Sequence, residues 1–217
     1  QGALELDAWF LLQDCPGFTP EGRIAFLDHL RAIADDAWDA NTSGWDQLGL
    51  GPEGHNWYLH GSQVLPAFGL LFPEFKRAPF LLRTGAGIFE EHLRGHYKAD
   101  GGARETTLGY QSSSLPGLWD FYLFAQRNGY PLSPGFADRL LKATRFLLDL
   151  MSPDGGLPSF GDTVPAPGSL TAVAATAAAL TGDGACKWFA ERCRRQVAGD
   201  ETETPGQIRS EERRVGK

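Results

Sequence analysis

Residues 100–110 read D-G-G-A-R-E-T-T-L-G-Y, and this stretch decides how the rest of the chain is understood. It gathers two adjacent glycines, two acids, a base, two hydroxyls and a tyrosine, and apolar patterns of helical spacing lie on both sides of it. A loop held by helices is a usual seat of binding and catalytic groups. A plain structural reading also exists for each part. Asp100-Gly101-Gly102 can be a helix stop in which glycine supplies a left-handed backbone, Glu105 and Thr106 can cap the next helix, and Tyr110 can be one more core ring.

Working outward, residues 3–14 have a helical pattern that ends at Cys15-Pro16-Gly17. Thr19-Pro20-Glu21 is a helix start, and Ile24, Leu27, Leu30, Ile33, Ala34 and Trp38 follow at steps of three and four. Residues 41–54, rich in glycine and polar side chains, read as loop. Helix is predicted from near His55 to about Phe72, and again from around Pro79 to His96. Beyond the central loop, Leu115 to Asn128 is apolar and aromatic and stops at Gly129-Tyr130-Pro131. Ser133-Pro134 is expected to open a helix that closes at Ser152-Pro153. An alanine-rich helix over residues 169–180 and an amphipathic one over 187–197 complete the pattern.

Asp100-Gly101-Gly102 returns as Asp154-Gly155-Gly156, an interval that fits one helical hairpin with its loops. No strand-like alternation is evident. The expectation is an all-α chain, most simply an incomplete (α/α) toroid built of helical hairpins, with an αα-hairpin solenoid as the competing architecture. Residues 1–197 form this helical domain, read as a fragment, and 198–208 are linker-like. Residues 209–217, R-S-E-E-R-R-V-G-K, are similar to the translation of a sequencing adapter and are expected to be a non-native tail.

A chain of 217 residues with 42% hydrophobic and 22% charged residues reads as a soluble globular domain or part of one. Its formal net charge is −7, and without the basic tail the remainder is more acidic still. That balance argues against nucleic acid as a partner, and no apolar run is long enough to cross a membrane. The 3 cysteines are read as reduced, because nothing in their spacing indicates a disulfide framework or a metal site. No cofactor is expected.

In His55-Asn56-Trp57-Tyr58-Leu59-His60, Asn56 and His60 lie four apart and share a helix face. Taken alone, they are better explained as a capping asparagine and a core histidine. The run N-W-Y-L-H-G-S-Q-V-L-P-A-F-G-L-L-F-P-E-F from Asn56, the central D-G-G-A-R-E-T-T-L-G-Y, and P-D-G-G-L-P-S-F-G-D-T from Pro153 together resemble the helical domain of the heparinase II/III-like polysaccharide lyases.

That resemblance implies β-elimination in a uronic-acid-containing polysaccharide of the heparin, heparan or alginate type. Asn56 is similar to the residue that neutralises the uronate carboxylate, and Tyr110 to the catalytic tyrosine. The C5 proton of a uronate is weakly acidic, because its removal places a second charge beside a carboxylate already negative. A donor on the carboxylate stabilises that transition state, and a tyrosine can take the C5 proton and return one to the leaving O4. His60, Arg104, Glu105 and Trp57 are the expected substrate-binding residues. Arg104 would favour a phenolate, and Glu105 would hold Arg104 or a sugar hydroxyl.

The family pattern is departed from at Gln111, where many relatives have histidine after the tyrosine. Relatives also carry a C-terminal β-sandwich with a further catalytic histidine. That domain is expected to be missing here, leaving a fragment with weak or no activity by itself. A periplasmic or secreted location is implied by family habit alone. Two alternatives remain at this stage. A toroid glycoside hydrolase would draw on Asp100, Glu105, Asp154 or Asp162, and a non-catalytic helical scaffold would bind glycan or protein.

Overall fold

The computed structural model describes residues 3–39, 51, 55–151, 157–159 and 167–198. Among these residues the chain is all-helical, as expected, and contains no strand. The helices are α1 (Ala3–Leu12), α2 (Pro20–Asp39), α3 (Asn56–Ser62), α4 (Val64–Leu71), α5 (Ala78–Gly95), α6 (Leu108–Arg127), α7 (Phe136–Asp149), α8 (Pro167–Thr181) and α9 (Gly184–Ala198). The predicted loop at 41–54, apart from Gly51, lies outside the described residues. So do the second Asp-Gly-Gly motif, Asp162, the Ser152-Pro153 stop and, beyond Ala198, the predicted linker and tail.

The chain forms two compact units. The first comprises residues 1–96 and 120–134. Its core gathers Leu30 and Ala34 of α2, Tyr58 of α3, Leu65 and Phe68 of α4, and Leu81 and Ile88 of α5. Each leucine fully withdrawn from water here contributes roughly 2–3 kcal/mol before the entropy of ordering is counted. Helices α4 and α5 approach closely because two glycines permit it. A Cβ at Gly69 would stand 2.6 Å from the Ala78 carbonyl oxygen, and one at Gly85 would stand 2.3 Å from Pro66 Cδ. The Thr19 hydroxyl accepts from Gly22 N–H at 3.1 Å, so α2 has the cap its sequence promised. Arg77 pairs with Asp35 and lays its guanidinium 5.3 Å from the centre of the Trp38 ring, fastening the start of α5 to α2.

Two expectations in this unit are corrected. The helix predicted from His55 to Phe72 is two helices, divided at Gln63. Pro66 has no N–H to give the Ser62 carbonyl, so a continuous ladder fails there, whereas proline in the first turn of a new helix costs little. Ser133-Pro134 does not open α7. Ser133 instead donates its N–H to Glu90 at 2.7 Å, and its hydroxyl bonds the same carboxylate. Helix α7 starts after Gly135, which takes φ 79.

The second unit comprises residues 97–119 and 135–217. Leu140, Ala143 and Leu147 give α7 a buried stripe, and Ala174 and Ala177 do the same for α8. Helices α8 and α9 form a hairpin turned by Gly182 at φ 75, followed at once by Asp183, whose Oδ1 accepts from Cys186 N–H at 2.9 Å. Trp119 of α6 is buried and donates Nε1–H to the Thr144 hydroxyl at 3.0 Å, which itself donates to the Leu140 carbonyl. Truncating that indole to alanine would cost about 3–5 kcal/mol.

Helix α6 begins at Leu108, ahead of the apolar stretch that starts at Leu115, and runs through Pro116. Its first turns are polar but not unsupported. Ser112 donates its hydroxyl to the Gly109 carbonyl, and Ser113 and Ser114 both donate to the Tyr110 carbonyl. These local bonds hide the helix from a hydrophobic-periodicity reading.

Candidate functional site

The predicted site residues fall into two groups, one in each unit. In the first unit, His55 caps α3 from an extended backbone, its Nδ1 accepting from Trp57 N–H at 3.2 Å. That cap fixes where the first two residues of α3 point. Asn56 turns inward and is 3% exposed, whereas Trp57 is 54% exposed, with its ring edge-on to His55 at 5.2 Å. The Asn56 Oδ1 is shut from solvent and has no hydrogen-bond partner among the described residues. Leaving a buried amide end unmet costs about 1–3 kcal/mol. His60 lies one turn further along the same helix; its side chain is outside the described residues.

In the second unit, the central loop is built as a tight, heavily bonded turn. Tyr97 and Ala103 form an isolated antiparallel bridge. Lys98 N–H donates to the Gly102 carbonyl at 2.9 Å, and Gly101 N–H donates to the Lys98 carbonyl at 3.0 Å. Gly101 has φ 93, and a Cβ there would stand 2.4 Å from the Lys142 carbonyl oxygen of α7, so both conformation and space demand glycine. A Cβ at Gly102 would stand 2.9 Å from Phe146 Cζ.

Asp100 closes the turn through Oδ1, which accepts from Gly102 N–H at 2.9 Å. Its carboxylate is therefore engaged in shaping the loop, which weakens it as one of a hydrolytic pair. The structural reading of Asp100-Gly101-Gly102 holds in part: Gly101 takes a left-handed backbone, but α5 has already ended at Gly95, so the motif shapes a turn and is not the helix stop.

Arg104 is exposed, Glu105 is half-buried and Tyr110, in the first turn of α6, is half-buried. Thr106 does not cap α6. It takes φ 57, unusual for a β-branched residue, and its hydroxyl donates to the Glu105 carbonyl at 2.7 Å. Thr107 reaches the same carbonyl at 3.2 Å. One Glu105 carboxylate oxygen is shielded from solvent. Burial, and after it the charge of Glu105, push the Tyr97 phenol well above its ordinary range, so this tyrosine stays neutral. Two chemically different tyrosines thus flank the loop: Tyr97 buried and held protonated, Tyr110 partly open to solvent.

Two residues shape this loop without a motif that names them. Tyr97 carries no motif, and only its position just before the loop could have drawn notice. Gln111 was noted only as a departure from the family pattern. It is buried, and all three of its side-chain hydrogen bonds are made within the unit. Oε1 accepts from Ala103 N–H, and Nε2 donates to the carbonyls of Gly101 and Ala143, each at 2.9 Å. His92 and His96 are buried and stacked at the end of α5 with ring centres 4.5 Å apart.

The fold has solved counterparts. The chain aligns with the crystal structure of heparinase III with a TM-score of 0.69 and 21% identity, covering 87% of this chain and 29% of that one. The crystal structure of heparan sulfate lyase HepC from Pedobacter heparinus gives a TM-score of 0.64 and 23% identity, covering 85% of this chain and 28% of that one. A heparinase III gene product with methylated lysines gives 0.66 and 21% over similar spans. The chain therefore spans less than a third of the length of these solved relatives, and at such identities the likeness speaks for the fold. Among curated proteins none matches. The sequence model of the heparinase II/III N-terminus matches residues 51–181, which is more than half of the chain and includes both Asn56 and Tyr110. The chain belongs to the heparinase II/III N-terminus family.

Proposed function

We propose that this chain is the helical part of a polysaccharide lyase that cleaves uronic-acid-containing glycans, of the heparin, heparan or alginate type, by β-elimination. The observation that carries the reading is Asn56: a buried asparagine at the start of α3, within the family's matched region, with an amide end unmet by the described residues. An amide presents either N–H or carbonyl by a half-turn of its terminal torsion, so it suits a uronate carboxylate that must be neutralised as C5 loses its proton.

Tyr110 takes that proton and returns one to the leaving O4, a role that needs a phenol accessible to substrate, as its partial exposure allows. Arg104, exposed on the loop, lies in the stretch that precedes Tyr110 and supplies positive charge for an acidic polymer. Trp57 offers an exposed ring for a sugar face, and His60 and Glu105 complete the proposed binding set. The relatives' greater length accords with a further domain, of β-sandwich type, that completes the enzyme, and a periplasmic or secreted location goes with such a substrate.

The test is a panel of heparan sulfate, heparin, alginate and an unsulfated glycuronan, incubated with the complete gene product. Ultraviolet absorbance from an unsaturated uronate supports elimination. New reducing ends without that absorbance would reject it in favour of hydrolysis.

A further inference from the structure

The side chain of Gln111 ties α6 to two other pieces of the second unit, the central loop and α7. Its Oε1 takes the N–H of Ala103 in the central loop, and its Nε2 gives one hydrogen to the Gly101 carbonyl of that loop and the other to the Ala143 carbonyl of α7. All three bonds are 2.9 Å, the residue is 1% exposed, and the amide's two donors are both used. The Ala143 carbonyl lies inside α7, so this bond is added to whatever the helix makes for itself. Gln111 is also the residue directly after Tyr110 and immediately follows the loop that carries Arg104 and Glu105. For Tyr110 to shift against that loop, the buried bonds to Ala103 and Gly101 must break, and for the loop and Gln111 to lift from α7 together, the buried bond to Ala143 must break.

We infer that Gln111 is a positioning residue, which sets Tyr110 in register with the Arg104–Glu105 segment. The inference deepens the lyase reading and rests on it for its catalytic consequence, although the geometric part stands by itself. Only an amide fits the role fully. A histidine has two ring nitrogens and cannot replace one acceptor and two donors. A glutamate keeps the shape but aims a carboxylate at two carbonyl oxygens. Protonation of that glutamate would restore one donor, and the burial and the facing carbonyls would raise the pH at which it protonates.

The test compares Gln111→Glu and Gln111→His with the parent protein. In the 217-residue chain, amide exchange at Ala103 should quicken by about tenfold or more in both variants, and the Tyr110 ring resonances should move. In the complete gene product, kcat on a cleaved uronate polymer should fall by about tenfold or more while KM stays within about twofold. The deficit of Gln111→Glu, taken relative to the parent at each pH, should shrink as pH falls. Unchanged Ala103 exchange and Tyr110 signals in both variants would overturn the inference. So would a kcat loss that merely follows the folded fraction and ignores pH in Gln111→Glu. A parent enzyme that cleaves no uronate polymer would count against the lyase reading alone, because the exchange and resonance measurements still decide the positioning claim.

Discussion

Gly101 and Lys142 meet so closely that the loop has no room for a side chain: a Cβ on Gly101 would lie 2.4 Å from the Lys142 carbonyl oxygen. The neighbour is helix backbone, which cannot swing aside as a long side chain would. Gly101→Ala therefore adds a steric clash to the strain of φ 93 in an L-residue. We expect a loss of about 2 kcal/mol or more in urea unfolding and a larger proportional loss of turnover, because the segment bearing Arg104 and Glu105 must lift away from α7. Gly129→Ala is the control for backbone strain alone. Its φ is 64, and nothing stands within 4 Å of the added methyl group.

Asp183 offers a pH-dependent stability term. Burial by itself would raise its pKa. The N–H of Cys186 and the guanidinium of Arg145 outweigh burial, and the net shift is downward. A carboxylate with a lowered folded pKa contributes stability above its unfolded value of about 3.9, and loses it as pH falls through the folded value. Asp183→Ala should cost about 1–2 kcal/mol near neutral pH, as for loss of a helix N-cap. Chemical unfolding at pH 7 and near pH 3 should show the gap between parent and variant narrowing in acid.

Tyr97 gives the opposite sign. Its phenol is pushed up by burial and by Glu105, so its contribution is intact below the unfolded pKa of about 10 and is lost as pH rises beyond it. The parent should destabilise in strong alkali more steeply than Tyr97→Phe. Spectrophotometric titration should find one phenol in the parent that ionises only as the chain unfolds.

The division between what the sequence disclosed and what it did not follows from the range of the interactions. Helix α2 was legible because Thr19, Pro20 and the Ile24–Trp38 stripe are local signals that agree with one another. The α8–α9 hairpin was legible for the same reason. The first turns of α6 show no apolar period, since serine hydroxyls bonded to nearby carbonyls occupy them, and only the cap-like residues before Leu108 hinted at its start. The break at Gln63 was overlooked because Pro66 sits in an otherwise continuous apolar run. Asn56, Arg104 and Tyr110 were nominated through motif resemblance. Nothing in their spacing alone could have foretold that Asn56 turns inward while Trp57 faces out. Gln111 reaches Ala143, 32 positions away in the chain, and such a contact leaves no trace in local sequence.

Asn56 should separate binding from structure. Replacing it with alanine removes an amide whose Oδ1 no described residue satisfies, so the fold should lose little, within about 1 kcal/mol. Turnover on a uronate polymer should fall by about a hundredfold or more, the scale seen when one oxyanion-type donor is removed. Asn56→Asp, which sets a like charge against the uronate carboxylate, should be worse than alanine in turnover. Thermal melts beside initial rates of both variants check this ordering.

The central claim is that Tyr110 moves the protons of an elimination, and Tyr110→Phe in the complete gene product tests it most directly. The Tyr110 carbonyl keeps its bonds from Ser113 and Ser114 in that variant, so the start of α6 should be preserved. The account requires the ultraviolet signal of the unsaturated product to fall by about a thousandfold, while affinity for the uncleaved polymer stays within a few-fold of the parent's. A folded Tyr110→Phe protein that still generates unsaturated product at the parent's rate would contradict it.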